Sequence, residues 1–174
     1  MRKSVFVTGG LLMSLITGGM MMVSPVLAED PLNLEFKGTL VEPPPCSLDD
    51  SGTILVEFGD RLAVNRVASG IYRRPVPITL ACEHDDSGLA WQLTLSVTGT
   101  PALFDTDNAA VLTPEQSSLG IKLYIDNQPF ELNKSVKINS TTSPSLEAVL
   151  IQADGAELAE GPFTAQATLR AAYQ

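Results

Sequence analysis

The sequence predicts an all-β protein of the immunoglobulin-like sandwich type, and three observations support this prediction. Apolar and polar residues alternate with a period of two along several short segments, as in strands with one buried face. No window keeps a period of 3.6 residues with helix caps at its ends. The chain also contains 12 prolines and 13 glycines, which separate the alternating segments as turns do.

Residues 1–28 have the pattern of a secretory signal peptide. Arg2 and Lys3 form a positive start, and an apolar stretch at 5–23 follows. Small residues then occupy the positions that a signal peptidase reads, and we expect cleavage after Ala28. An uncleaved membrane anchor is the alternative, but the glycines within the stretch and the cleavage triplet favour a signal peptide.

The composition excludes several classes of partner. The chain carries a formal net charge of −9, and loss of Arg2 and Lys3 with the signal peptide makes it more negative. Such a surface repels phosphate backbones and anionic lipid. We therefore expect neither nucleic acid nor a membrane as a partner after export.

The alternating segments are short and follow one another along the exported chain. They are predicted at 32–40, 54–58, 76–82, 91–97, 121–125, 136–138, 146–150 and 163–173. The sequence Asp-Asn-Gln-Pro at 126–129 predicts a turn. The polar stretch 105–118, which contains Pro114, predicts a surface loop. Trp91 shares the phase of Leu93 and is expected in the core rather than as a sugar platform.

Two cysteines, Cys46 and Cys82, are the only ones in the chain. In an oxidising compartment an isolated pair predicts a disulfide. Three prolines at 43–45 precede Cys46 and predict a rigid corner between an N-terminal tail and the body.

The first and last alternating segments lie at the two ends of the exported chain. In a single sandwich, a long apolar final strand with no later strand to cover it would leave its edge open and would aggregate. We therefore expect another strand to cover it.

These features together resemble the pilins of the chaperone–usher family, the subunits of bacterial adhesive fimbriae. The segment 32–40 resembles the donor strand of that family, with Gly38 at the family's glycine. Cys46 and Cys82 fall where the family's early disulfide lies. Gly161 begins a C-terminal motif that continues in alternating apolar residues to the penultimate Tyr173.

The resemblance implies an incomplete immunoglobulin-like sandwich that lacks its seventh strand and is completed by donor-strand complementation. It divides the chain into a signal peptide (1–28), a donor extension (29–41) and a pilin domain (42–174). The implied donor residues are Leu32, Leu34, Phe36, Gly38 and Leu40. The implied acceptor groove and chaperone-binding strand comprise Gly161, Phe163, Ala165, Ala167, Leu169, Ala171, Tyr173 and Gln174.

The resemblance also implies partners and a location. A periplasmic chaperone, an outer-membrane usher and neighbouring fimbrial subunits are expected, with export through the periplasm to the fimbrium on the cell surface. Segments 44–60 and 87–91 resemble most the minor tip-adaptor subunits of P-type pili, which implies an adaptor that links the tip or adhesin to the shaft. A major shaft pilin is the alternative within the family.

Enzymatic chemistry is not expected. Cys82 and His84 lie two apart and share a strand face, but Cys82 has a disulfide partner and His84 is the only histidine. The polar clusters at 83–86 and at Asp105, Asp107 and Asn108 lack the spacing of a calcium loop and are expected to be solvated. The sequence therefore predicts no enzyme, no metal and no cofactor.

Two binding functions stand as alternatives. A receptor-binding adhesin of this family carries an extra N-terminal domain, and the short distance between Ala28 and Cys46 leaves no room for one. A periplasmic or extracellular carbohydrate-binding module would be a self-sufficient monomer, whereas a pilin purified alone should aggregate or retain a chaperone.

Overall fold

The computed structural model describes residues 33–48, 52–83 and 87–174. The signal peptide, its cleavage site, Leu32 and His84 lie outside the described residues. The chain divides between Thr39 and Leu40 into two units. In the first unit, residues 33–39 form neither strand nor helix. Glu35 and Lys37 form an exposed ion pair there, with 2.7 Å between Oε1 and Nζ.

The second unit consists almost entirely of strands. Its strands are β1 (Cys46–Leu48), β2 (Arg73–Val76), β3 (Leu80–Cys82), β4 (Leu93–Gly99), β5 (Ala110–Leu112), β6 (Leu119–Ile125), β7 (Gln128–Pro129), β8 (Val136–Lys137), β9 (Leu146–Gln152) and β10 (Ala167–Tyr173). A 3-10 helix at Val64–Ser69 ends at Gly70. No helix in the described part of the chain is long and apolar enough to cross a bilayer.

The strands form two main antiparallel sheets and one separate pair. β2, β9, β6 and β5 lie side by side in that order, and β7 adds to β6. The second sheet has the order β10, β4, β8. β1 pairs with β3 alone. The all-β sandwich expected from the sequence is confirmed.

The core lies between the two main sheets because the alternating apolar residues of both point inward. One cluster draws on both sheets, and its members are Leu95, Val97, Val111, Ile125, Phe130, Leu132 and Leu146. A second cluster joins Phe58 and Val67 to Leu119, Ala148 and Leu150. The alternation predicted for β6 and β9 is therefore confirmed.

The predicted disulfide is present. Cys46 and Cys82 are directly opposite each other in the β1–β3 pair, and their side chains are bonded. The bond closes a loop of 36 residues. A loop of this length stabilises the fold by about 3–4 kcal/mol in the chain-entropy description.

The predicted turn at 126–129 is also confirmed. Asp126 and Asn127 have φ values of 48° and 64°, and they connect β6 to β7. Positive φ at both central residues is the mark of a tight hairpin turn that matches strand twist, and Asp and Asn tolerate it well.

Residues 76–82 and 105–118 differ from their predicted structure. The strand expected at 76–82 is two strands, because Pro77 cannot donate to a ladder and the chain changes partner from β9 to β1 there. The predicted surface loop at 105–118 is wrong in its middle, where β5 has Ala110 and Val111 buried. Its few apolar residues are too short a run to stand out within a polar stretch.

Candidate functional site

The last strand, β10, is the edge of its sheet. It pairs with β4 in full register from Ala167 opposite Gly99 to Tyr173 opposite Leu93. Gln174 continues the ladder, since its N–H donates to the Gln92 carbonyl at 2.9 Å. On the other side of β10, no strand pairs with it in the described part of the chain. A row of its backbone groups is therefore available to a further strand.

The segment before β10 and the inward face of β10 form a wall with small side chains. Ala165, Leu169 and Ala171 pack against the core, whereas Ala167 in the same phase is exposed. The sequence predicts one long strand from 163 to 173, but ladder pairing begins only at Ala167. We call residues 158–169 the second wall.

The first wall comprises residues 53–63. Ile54 and Val56 are half-buried and Phe58 is buried, while Leu55 and Glu57 are exposed. The alternation predicted for 54–58 is therefore present in the side chains. The predicted strand is absent, because this segment has no strand partner among residues 33–48, 52–83 and 87–174.

A groove of about 1620 Å³ lies between the two walls. Its floor is apolar and includes Val97, Val111, Ile121, Leu123, Leu146 and Leu150. At one end, the rings of Phe58 and Phe163 meet with their centroids 6.1 Å apart. Gly59 and Gly161 adjoin these rings with φ of 105° and 145°, values that favour glycine, and each wall changes direction there.

The first wall is held from β2 by side chains. The Arg74 guanidinium donates from Nη2 to the Phe58 carbonyl at 2.9 Å and from Nε to the Glu57 carbonyl at 3.3 Å. The N–H of Ala63 donates to the Tyr72 hydroxyl at 2.7 Å. Arg74 therefore satisfies two carbonyls that a neighbouring strand would otherwise satisfy.

The second wall is held by the turn at residues 113–119, which we call the support turn. The Glu115 carboxylate accepts from the N–H and the hydroxyl of Thr164, at 3.0 and 2.7 Å. The N–H and then the hydroxyl of Thr164 lower the pKa of the Glu115 carboxyl below its usual value. Gln116 both donates to and accepts from the backbone of Ala159, each at 3.0 Å.

Arg74, Glu115 and Gln116 are the residues of this region that sequence reasoning missed. Arg74 does carry a signal, because it occupies an inward phase of β2 between Tyr72 and Val76, where an apolar residue would be usual. Glu115 and Gln116 carry none, since their partners lie more than 40 residues away in the chain.

The structure places the expected acceptor residues together. Phe163, Ala165, Ala167 and Leu169 line the groove, and Gly161 lies at its end. Ala171, Tyr173 and Gln174 continue along β10. Among the expected donor residues that the structure describes, the apolar ones Leu34, Phe36 and Leu40 are exposed, with relative accessibilities of 74%, 89% and 101%.

The expectation of a solvated cluster at Asp105, Asp107 and Asn108 is wrong for Asp105, whereas Asp107 and Asn108 are exposed. Lys122 Nζ lies 2.7 Å from Asp105 Oδ1 and also contacts Asp107, and the Asp105 side chain is only 4% exposed. Burial alone would raise the pKa of Asp105, but the hydrogen bond and the charge of Lys122 lower it. No three His, Cys, Asp or Glu of the described residues are placed to hold a metal ion.

The expected core position of Trp91 is also wrong. The indole is half-buried outside both core clusters, two residues before β4 begins, and its Nε1 donates to the Ser87 hydroxyl at 3.3 Å. It lines an open cleft of about 690 Å³ with Asp126, Lys137 and Asn139. Strand β4 begins at Leu93, and the alternation of its inward side chains does not extend back to Trp91.

Solved pilus subunits share this fold. The P pilus rod subunit PapA aligns with a TM-score of 0.57 at 22% identity, and the alignment covers 82% of this chain and 100% of PapA. A chain from the structure of a chaperone–usher pilus aligns with a TM-score of 0.58 at 19% identity, and the alignment covers 87% of this chain and 100% of that one. The P pilus adaptor subunit PapF gives 0.52 at 20% identity, over 76% and 98%. The fold is thus the immunoglobulin-like sandwich that these pilus subunits share.

Sequence comparison gives the family. A sequence model of the fimbrial protein family matches residues 34–174. The chain is 39% identical over 145 residues to the uncharacterized fimbrial-like protein YfcQ of Escherichia coli K12, covering 82% of this chain and 87% of that protein. It is 32% identical over 156 residues to the fimbrial-like protein YfcR of the same strain, covering 87% and 86%. The chain belongs to the fimbrial protein family, whose members are structural subunits that polymerise with their neighbours in the extracellular fimbrium.

Proposed function

We propose that this subunit polymerises by donor-strand exchange, accepting a neighbour's strand in its groove and giving its own N-terminal segment to another subunit. The observation that carries the proposal is the pair of walls, 53–63 and 158–169, which face each other across an apolar floor without pairing to each other. An added strand would find backbone partners along β10 and alternate side-chain positions between the walls.

The dimensions suit such a strand. Residues 163–173 extend over about 33 Å, and the donor segment 32–40 extends over about 26 Å at the strand rise of 3.3 Å per residue. Burying three leucines and one phenylalanine of that donor contributes about 6–12 kcal/mol before the entropy of ordering the tail is subtracted. The main-chain ladder and completion of the fold supply the remainder.

The giving role rests on residues 29–41, which we propose as the donor extension that follows a cleaved signal peptide at 1–28. Leu34 and Phe36 alternate with polar residues and are exposed. Isolated exposure of such large apolar groups is unfavourable, and a neighbour's groove would bury them. The pilin domain proper would then be residues 42–174.

Transit partners follow from the same surface. An apolar groove beside a free strand edge invites aggregation, so a periplasmic chaperone would cover it before an outer-membrane usher exchanges the chaperone for the next subunit. Within the fibre we place the subunit as a minor adaptor, on the resemblance of segments 44–60 and 87–91 to tip adaptors.

The groove is tested with synthetic donor peptides. A peptide of residues 29–41 and the equivalent N-terminal peptides of the subunits encoded with this protein are mixed with the purified subunit, and the protection of β10 amides is followed by hydrogen exchange. A matched peptide with Leu34→Asp and Phe36→Asp should give no protection. Absence of protection by every unmodified peptide would contradict the proposed function.

The position in the fibre is tested by immunogold labelling of isolated fimbriae. An adaptor should give one label near the tip of each fibre. Label along the whole length would instead identify a shaft subunit, which should also take up its own 29–41 peptide in preference to the others.

A further inference from the structure

The second wall depends on two side chains of the support turn. Between Ala156 and the start of β10, the wall belongs to no strand, and its described hydrogen bonds go to Glu115 and Gln116. The contact of Gln116 with Ala159 precedes Gly161 in the chain, and the contact of Glu115 with Thr164 follows Phe163. The position of the groove's end is therefore set by one turn of the chain.

Both side chains bind the wall in the manner of a neighbouring strand. The Gln116 amide donates to the Ala159 carbonyl and accepts from the Ala159 N–H. A residue on a neighbouring antiparallel strand would form the same pair of hydrogen bonds. The Glu115 carboxylate accepts twice from Thr164. Charge-assisted bonds of this kind are stronger than neutral ones.

The support turn is itself fixed to the core. Thr113 is fully buried, and its hydroxyl lies 2.9 Å from the Gln116 carbonyl and 3.2 Å from the Leu119 carbonyl. The Leu119 N–H donates to the Gln116 carbonyl at 3.0 Å. Leu119 belongs to the core cluster around Phe58. The turn can therefore hold the wall against a lateral force.

Such a force is expected from the apolar groove. Two apolar walls with solvent between them are driven together, because contact removes apolar surface from water. The rings of Phe58 and Phe163, one from each wall, already lie with their centroids 6.1 Å apart. The first wall, and the part of the second wall before Ala167, also lack the strand pairing that would resist movement.

We propose that Glu115 and Gln116 are positioning residues that hold the second wall away from the first until a donor strand enters. Arg74 is their counterpart on the first wall, through its bonds to Glu57 and Phe58. This inference rests on the proposed function of the groove. Once a donor lies between the walls, its backbone ladder and side chains separate them, and the three residues become dispensable.

The expected signature is therefore kinetic. Loss of the support should slow strand insertion and leave the stability of the filled subunit nearly unchanged. A residue with a merely structural role would lower both. The two cases are separated by measuring the uptake rate and the thermal midpoint of the filled complex on the same variants.

The experiment uses the full exported chain with its disulfide and a fluorescent copy of a donor peptide that protects the wild-type β10 amides in the groove test. The double variant Glu115→Ala with Gln116→Ala should take up the peptide about tenfold more slowly than wild type. A tenfold change in rate corresponds to roughly the net free energy of one hydrogen bond. Its filled complex should melt within about 2 °C of wild type, since a larger shift would mark a general loss of stability. Ser117→Ala, an exposed change in the same turn, is the matched control and should keep the wild-type rate.

A milder variant keeps the test decisive if the double variant does not fold. Gln116→Glu has the same shape and still accepts from Ala159, but it cannot donate to the Ala159 carbonyl, so its uptake rate should fall by a smaller factor. Wild-type rates in both variants, faster uptake, or a parallel loss of stability would overturn the inference. If the wild-type subunit takes up no donor peptide at all, the proposed function fails instead.

Discussion

At the scale of single residues, Lys122 is the only charged residue of the described part of the chain that is buried as a whole residue. It projects from the outward face of β6, where Asp105 and Asp107 hold its ammonium group and Tyr124 lies 6.0 Å away. Asp105 also accepts from the Ala109 N–H at 2.8 Å. The pair therefore fastens the loop before β5 to the outside of the sheet.

Replacing Asp105 with Asn should lower the free energy of unfolding by about 1.5–3 kcal/mol at neutral pH, the usual cost of losing a hydrogen bond to a charged group. Because the folded pKa of Asp105 is lowered, its contribution is complete above the usual aspartate pKa and is lost as pH falls through the lowered value. Urea unfolding of wild type and variant should therefore differ at pH 7 and converge in acid. Asp107→Asn, at a half-exposed carboxylate, is the control and should cost less. A constant difference at all pH values would contradict the ion-pair account.

The pKa of Lys122 sets the alkaline end of the pH range over which Lys122 and Asp105 stabilise the fold. Burial would lower the pKa of Lys122, but Asp105 and Asp107 together raise it above the usual lysine value. Its contribution is therefore complete below the usual lysine pKa and is lost as pH rises through the raised value. The sequence does not reveal this pair, because residues 17 apart meet only once β5 and β6 have paired.

Gly38 offers a residue-scale test of donation. A Cβ at this position would meet no heavy atom of the described residues within 4 Å, so the subunit's own structure does not require glycine there. If glycine is required, the recipient groove requires it. Gly38→Leu should then slow or prevent donation, since overpacking costs about 1–3 kcal/mol. Lys37→Leu, which adds the same side chain to the opposite face, is the control, and peptide insertion rates decide between them. Equal rates for Gly38→Leu and wild type would contradict a steric requirement.

At the scale of elements, the two walls show what a sequence pattern can and cannot predict. Alternation predicted which side chains of 54–58 point inward, because facing depends on local backbone geometry. It did not predict that this segment would have no hydrogen-bonded neighbouring strand, because strand pairing depends on a partner that is distant in the sequence. The same holds for residues 163–166, which continue the phase of β10 without its pairing. β6 and β9 were predicted well because each has partners on both sides.

The face of β10 is tested by moving one charge across it. Leu169 packs against the core cluster between the sheets, whereas Arg170 is exposed. Leu169→Asp places a carboxylate among apolar groups, where an unpaired charge costs several kcal/mol, so peptide capture and periplasmic yield should collapse. Arg170→Asp puts the same carboxylate on the other face and should keep both near wild type. Similar yields for the two variants would show that the face assignment is wrong.

At the scale of the whole molecule, the proposed acceptor groove and the proposed donor segment belong to different parts of the chain. The groove, the disulfide and both core clusters are formed by residues after 45. The proposed donor residues precede the prolines at 43–45. The chain itself divides between Thr39 and Leu40. Loss of one activity should therefore leave the other intact.

Deleting residues 29–40 from the exported chain tests this division. The truncated subunit should form the Cys46–Cys82 bond, retain a chaperone and take up a donor peptide at the wild-type rate, since every group that lines the groove remains. It should be unable to insert into any other subunit, so that a growing fibre would stop at that joint. The measurement is co-purification with a chaperone, followed by mixing first with donor peptide and then with an acceptor subunit. A self-completed domain behaves differently, because its first strand pairs within its own sheet. Failure of the truncated protein to fold even with a chaperone present would therefore make the N-terminal segment an ordinary first strand and end its assignment as a donor.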